Sequence, residues 1–194
     1  MEQINIIKKD ILWKGRFIQG VRATYVNSAG KVKTWEYIER IHSHVVFMVL
    51  FDQIEQKFIV IEEGRIPVAR KVIGLVAGVC DIAGEFQEAA AIREAIEEAG
   101  CDPKRVILLG ENESISPGIV NEVGTIFLGT DIKYVDKKDG EEENGIEVHS
   151  VSRDIIFAWL DHQQRLGKII DIKVRGSIAL ALRIIEEEER TKNK

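Results

Sequence analysis

Residues 45–51 form an unbroken apolar run, Val-Val-Phe-Met-Val-Leu-Phe, the pattern of a strand buried on both faces. Residues 52–56 turn the chain, and a second central strand starts at 58–61 with Phe-Ile-Val-Ile. The region before them is less apolar. Residues 16–18, 21–25 and 32–38 are short strand-like pieces, the last two separated by the turn-forming Asn27, Ser28, Ala29 and Gly30. They predict an antiparallel hairpin unit over 15–40. A hairpin is marginal alone in water, so this unit must lean on a larger core or on a second subunit.

From Glu85 the period changes. Ala89, Ile92, Ile96 and Ala99 recur at helical spacing up to Gly100, with Gln87, Glu88, Glu94, Glu97 and Glu98 on other faces, which predicts an amphipathic helix. Strand patterns resume at 106–109, 123–128 and 146–151. Two helices should close the chain, one with Ser152 as its N-cap and ending near Gly167, the other over about 174–190. This mixture predicts an α/β fold, an α/β/α sandwich. We expect residues 1–43 to form a small N-terminal antiparallel β subdomain and residues 44–194 the main domain.

Length and composition agree with one main core. The chain has 194 residues, 45% of them hydrophobic and 30% charged, as in a folded globular protein. Its formal net charge is −5, and lysines and arginines are scattered, so nothing attracts a nucleic acid. An acidic chain that binds a phosphate must bring positive charge to the site, as placed arginines or as bound cations. Cys80 and Cys101 are the only cysteines; with no paired spacing and no histidine cluster they are expected as buried thiols, not zinc ligands. The first residues lack the pattern of a signal peptide, and no apolar run reaches the roughly 18–20 residues of a membrane helix. A cytoplasmic protein is expected.

The chemistry concentrates in residues 93–101, Arg-Glu-Ala-Ile-Glu-Glu-Ala-Gly-Cys. Glu94 and Glu98 lie one helical turn apart on one face, with Glu97 alongside. Like charges at that spacing repel by a few tenths of a kcal/mol, a local fault that a divalent cation removes. Hard carboxylate oxygens suit Mg²⁺ or Mn²⁺, which in turn bind phosphate oxygens. Taken alone, such a patch is more often a solvated helix face.

Its surroundings change that weighting. The segment resembles the Nudix box, G-x5-E-x7-R-E-U-x-E-E-x-G-U with U aliphatic: Glu85, Arg93, Glu94, Glu97, Glu98 and Gly100 all fall in place, with Ala95 and Cys101 as small occupants of the U positions. Ala77 and Gly78 are expected in a loop after the strand-like residues 70–73, and Gly78 is separated from Glu85 by six residues, one more than the family spacing, which implies a bulged loop. The resemblance implies Mg²⁺ (Mn²⁺ is also suitable) held by Glu94 and Glu98, assisted by Glu97 and the carbonyl of Ala77, with Glu85 paired to Arg93. It implies a Nudix α/β/α sandwich with a mixed sheet and a hydrolase of phosphoanhydrides.

Residues outside the box resemble the ADP-ribose pyrophosphatase subgroup. Pro117 lies sixteen residues after Cys101, Gly118 follows it, and Glu122 comes four residues later. Upstream, 34–40 and 62–67 also resemble that subgroup, whose N-terminal strands help form an adenine pocket across a dimer. Trp35 is a stacking candidate for the base, with Phe17 a weaker second; Glu36 offers an acceptor to an exocyclic amine and Arg65 offers charge to a phosphate. Gly74 stands where the subgroup usually has a glutamate, so one substrate or metal contact is expected to be missing. The attacking water needs a general base; the resemblance points to the acidic loop before 146–148, where Glu142 or Glu143 is favoured. The expected substrate is a nucleoside diphosphate sugar, first of all ADP-ribose cut to AMP and ribose 5-phosphate. GDP-mannose or another nucleotide sugar is the alternative, and so is a non-catalytic protein that only binds ADP-ribose. A homodimer is expected, and no nucleic acid or membrane partner.

Overall fold

The structure is a computed structural model that describes residues 4–136 and 145–192. It comprises two compact units: Met1–Val45 with Asn112–Gly124, and Val46–Glu111 with Thr125–Lys194.

The first unit carries an antiparallel sheet of β1 (Asn5–Lys14), β2 (Ile18–Val26) and β3 (Val32–Arg40), in that order. Asn27 closes the β2–β3 turn by accepting the amides of Ala29 and Lys31 at 3.1 and 2.9 Å, and Gly30 takes φ 72°, a conformation glycine adopts without strain. The sequence pattern did not predict β1. Its register against β2 shifts between Ile6 and Lys8 and again between Ile11 and Trp13. Each shift moves the alternation out of phase, so no period of two survives along the strand. In the same unit the segment around Pro117 turns back on itself: the Ile115 amide donates to the Glu122 carbonyl, the Ile38 amide donates to the Ile119 carbonyl, and Val120 bridges Ile38.

The second unit is built on an eight-stranded sheet in the order β11-β6-β5-β4-β9-β8, with β10 on β5 and β7 on β4. The strands are β4 (His44–Asp52), β5 (Lys57–Arg65), β6 (Arg70–Gly74), β7 (Val76–Val79), β8 (Cys101–Ser114), β9 (Val123–Tyr134), β10 (Glu147–Ser152) and β11 (Ile169–Ile170). β5 runs antiparallel to β4, β6 and β10, while β11 is parallel to β6, so the sheet is mixed. The helices are α1 (Gln87–Ala99), α2 (Ile156–Arg165) and α3 (Ile172–Lys192). Among the described residues no helix is long and apolar enough to cross a membrane.

Helix α1 buries Ala90, Ala91, Ala95 and Ala99 against Val46, Met48, Leu50, Ile59 and Ile61. This corrects the expected face: Ala89 is exposed, and Ile92 and Ile96 are only half-buried. The helix is apolar on two sides, so periodicity could not choose between them, and the alanine side allows the backbone to approach the sheet more closely. Glu94 and Glu98 each follow a buried alanine by three positions, which places both at the margin of the buried stripe. Trp159 of α2 packs on His149 of β10, ring centroids 5.3 Å apart. His149 pairs across from Val60, so alternation along β5 puts this contact on the sheet face opposite Ile59 and Ile61.

Three further expectations are corrected. Ser152 ends β10 instead of capping a helix: its carbonyl accepts the Ile155 amide in a turn, and α2 starts four residues later. Ala77 and Gly78 lie in β7, not in a loop, because 76–79 pairs with β4. Cys101 is buried as expected but Cys80 is half-buried.

Candidate functional site

The α1 glutamates are held from both sides. Arg93 presents a fork to Glu85, Nε and Nη2 donating to the two carboxylate oxygens at 3.1 and 3.2 Å. Its Nη1 donates to Glu94 at 2.7 Å and to Glu97 at 3.3 Å, so one planar guanidinium orders three carboxylates. Glu98 accepts the backbone amide of Ala77 in β7 at 3.1 Å. The stretch from Gly78 to Glu85 closes with the Glu85 amide donating to the Ile82 carbonyl and with Gly84 at φ 82°, a turn that needs glycine at this place. Gly78 also leaves the Glu94 side chain its place, since a β-carbon there would coincide with it.

These carboxylates repel one another in a half-buried place. Burial, opposed by the Ala77 amide, pushes Glu98 up to about 8, and the charges of Glu63 and Glu94 add to the effect. Glu94 is raised by burial against the pull of Arg93, with Glu97 and Asp81 adding repulsion. Glu63, only 5% exposed, is raised by burial against its pairing with Arg65. Arg93 is held even more firmly charged than usual, chiefly by Glu85. Hard oxygen donors that converge and are reluctant to ionise together are the donor set that a divalent cation satisfies.

A pH dependence follows. Glu98 ionises near 4.5 when unfolded and near 8 when folded, so between those values the unfolded chain releases the proton first and is favoured increasingly as pH rises. With EDTA present, Tm should fall from about pH 4.5 to about 8 and then level off. Glu98→Gln should flatten that fall; an equal slope in both proteins would contradict the assignment. Mg²⁺ should raise Tm more at pH 8 than at pH 5, because binding requires the ionised form.

In the first unit, Trp35 and Pro117 meet. The Trp35 indole donates to the Gly118 carbonyl at 3.0 Å, and a cleft of about 430 Å³ is lined by Tyr25, Trp35, Tyr37, Pro117 and Asn121 among others. Its mostly apolar wall, with the rings of Tyr25, Trp35 and Tyr37 and few polar groups, suits a planar base. Phe17 and Glu36 do not line this cleft. Glu36 projects from the other face of β3 and is paired with Arg22 at 2.7 Å, while Phe17 is exposed under the Arg16 guanidinium. Glu122 is tied to Arg40 at 2.5 Å.

No family model matches the sequence. The ADP-ribose pyrophosphatase of Escherichia coli (strain K12) is 33% identical over 144 residues, 69% of this chain and 64% of the relative, and that of Shigella flexneri matches equally. Nudix hydrolase 2 of Caenorhabditis elegans, provisionally so named, is 22% identical over 151 residues, 74% of this chain and 66% of the relative. A solved structure of an ADP compounds hydrolase has a TM-score of 0.79 at 17% identity and covers 98% of both chains. The chain is thus similar in sequence and in fold to Nudix hydrolases. It spans 64% to 66% of the length of these curated relatives. Its fold is the Nudix α/β/α sandwich with a mixed sheet, accompanied by a separate three-stranded antiparallel sheet.

In the Nudix unit, α1, β5 and β7 bring together Glu85, Arg93, Glu94, Glu97, Glu98 and Ala77, with Glu63 and Arg65 beside them. Glu142 and Glu143 lie outside the described residues. A second group was not anticipated: ligand atoms of Glu62, Glu147 and His149 lie within 4.8 Å of one another and could hold a cation. Glu62 and His149 are 87 positions apart, and only the pairing of β10 with β5, Glu147 opposite Glu62, unites them. One Glu62 oxygen already accepts Lys168 at 2.5 Å and lies 3.1 Å from His149. Burial would raise Glu62, yet these two partners hold it below its ordinary value. The group is thus a neutralised buried ion pair on the sheet face away from α1.

Proposed function

We propose that the chain is a metal-dependent Nudix hydrolase that cuts the diphosphate bond of a nucleoside diphosphate sugar, with ADP-ribose the leading substrate and AMP and ribose 5-phosphate the products. The observation that carries this reading is the ordered, mutually repelling set Glu94, Glu97 and Glu98, the first two held by Arg93 in its fork on Glu85 and the third by the Ala77 amide. Glu94 and Glu98, with Glu97 and the Ala77 carbonyl beside them, are the groups that would hold Mg²⁺ or Mn²⁺. Bound there, the ion would neutralise diphosphate charge and acidify a water. Arg93 fixes the glutamate rotamers before substrate arrives, so little reorganisation is needed when charge develops. Glu85 ties the loop after β7 to the helix through the same fork. Arg65, half exposed, offers a cation to a phosphate oxygen, and the Trp35–Pro117 cleft offers an aromatic face to the base. The deprotonation of water is assigned to Glu142 or Glu143.

Relatives named ADP-ribose pyrophosphatase and a structural neighbour named ADP compounds hydrolase favour adenine over other bases. The test is a panel of ADP-ribose, GDP-mannose, UDP-glucose, NADH and diadenosine polyphosphates with Mg²⁺, read by release of phosphate monoester. ADP-ribose should lead. No turnover of any member by folded protein would overturn the reading, and preference for GDP-mannose would replace the substrate.

We also propose a homodimer formed through the first unit, residues 1–43 serving as the dimerising and base-binding subdomain. β1 exposes Ile6, Ile7, Ile11, Leu12 and Trp13, an apolar strand that a lone three-stranded sheet does not cover. Sedimentation equilibrium should return twice the chain mass of 21.9 kDa; a monomer at micromolar concentration would contradict this.

A further inference from the structure

We propose that Glu63 is a ligand of the same cation as Glu94 and Glu98, supplying from β5 the carboxylate that Gly74 omits from β6. The inference rests on the reading of the α1 face given above. Alternation along β5 directs Glu63 to the side on which Ile59 and Ile61 pack under the α1 alanines. Its charge is felt by Glu98, and it is 5% exposed, a position in which a carboxylate is retained only with a strong partner. The partner in the structure is Arg65, whose own side chain is 51% exposed. The arginine end of the pair is open to water while the carboxylate is not, so Glu63 keeps room for a second cation in its buried place.

The sheet register supplies the second argument. Ile61 faces Gly74 and Glu63 faces Val72, so Glu63 and Gly74 are diagonal neighbours on one face, within reach of a long side chain. A β-carbon at Gly74 would meet nothing within 4 Å. The room that a glutamate on β6 would take is therefore open, and Glu63 stands at its edge. A cavity of about 20 Å³ is lined by Glu63, Arg65, Gly74 and Ala77 with apolar neighbours from the sheet, and by Asp171 and Lys173 at the start of α3, whose charges are paired with each other; it is enough for one particle the size of a water molecule. Ala77, which lines it, is the residue whose amide holds Glu98, so one residue of β7 links this cavity to the α1 glutamates. Glu63 thus offers, from the adjacent strand and on the same face, the carboxylate that Gly74 cannot supply.

The experiment measures Mn²⁺ binding by electron paramagnetic resonance without substrate, for wild type, Glu63→Gln, Glu98→Gln and Glu63→Gln/Gly74→Glu, with Tm in EDTA checking the fold. Glu63→Gln keeps an acceptor for Arg65 but loses the charge, and should weaken Mn²⁺ at least about tenfold. Adding Gly74→Glu should recover most of that loss, which a structural Glu63–Arg65 pair would not explain. Undiminished Mn²⁺ binding in Glu63→Gln, or no recovery in the double variant, overturns the proposal. If Glu98→Gln weakens binding while Glu63→Gln does not, only this inference falls. If neither variant weakens it, the α1 face is not the metal site and the wider reading falls too. Should Glu63→Gln alone fail to fold, the double variant is compared directly with wild type, and loss of binding there counts against Glu63.

Discussion

Glu98→Gln is expected to lower turnover of the best substrate by at least about 10²-fold while leaving the protein folded, the usual size of a lost metal or electrostatic contribution. The fold should survive for a specific reason. Near pH 7 and without metal, Glu98 is mostly protonated because its value is pushed up to about 8, and a glutamine mimics that neutral form in shape. It also retains an oxygen to accept the Ala77 amide that the carboxylate now accepts at 3.1 Å. What the amide cannot do is become an anion when a cation arrives. The loss should therefore fall on metal affinity and turnover, while Tm in EDTA near pH 7 should not fall below that of wild type. The control is Glu88→Gln, an exposed glutamate in the first turn of the same helix, which should leave both unchanged. Near-normal turnover by folded Glu98→Gln would show that α1 is only an acidic surface.

Much of the second unit was legible because its elements carry simple periods. The apolar run of β4 is buried along nearly its whole length, and the glycine after α1 takes the left-handed conformation at its C-cap that ends a helix where the pattern stops. The functional part of α1 was legible for another reason, since the spacing of glutamates on one helix is local and fixed by geometry. What sequence could not supply was non-local or out of phase. β1 was hidden by two register shifts. The buried face of α1 was misjudged because isoleucines outweigh alanines in any hydrophobic count, although the alanines make the close contact. Glu36 was offered to the base alongside Trp35, yet adjacent residues of a strand point to opposite faces, and only Trp35 reaches the cleft. Glu63 carried no local cue, because its meaning depends on the missing side chain of a residue on the next strand.

Gly78→Ala is expected to leave a folded protein with turnover reduced on the order of 10²-fold, a larger effect than a single methyl normally causes on a strand. Nothing in the backbone forbids alanine there, since Gly78 is not among the positive-φ glycines. The obstacle is the Glu94 side chain, which occupies the place of the new methyl. That side chain is flexible and lies at the margin of the helix, so the cheapest relief is for it to rotate away from β7. Rotation breaks the 2.7 Å hydrogen bond with Arg93 and removes one of the two principal carboxylates from the site, while the alanine face of α1 stays packed on the sheet and no cavity opens. The substitution thus acts like removal of Glu94 without touching it, and Gly78→Ala combined with Glu94→Gln should be little worse than either alone. Gly176→Ala on α3 adds a methyl into open space and should change neither turnover nor Mn²⁺ binding. Full activity in Gly78→Ala would mean that Glu94 functions elsewhere than against β7, and additive losses in the double variant would mean that the glycine serves some other part of the site.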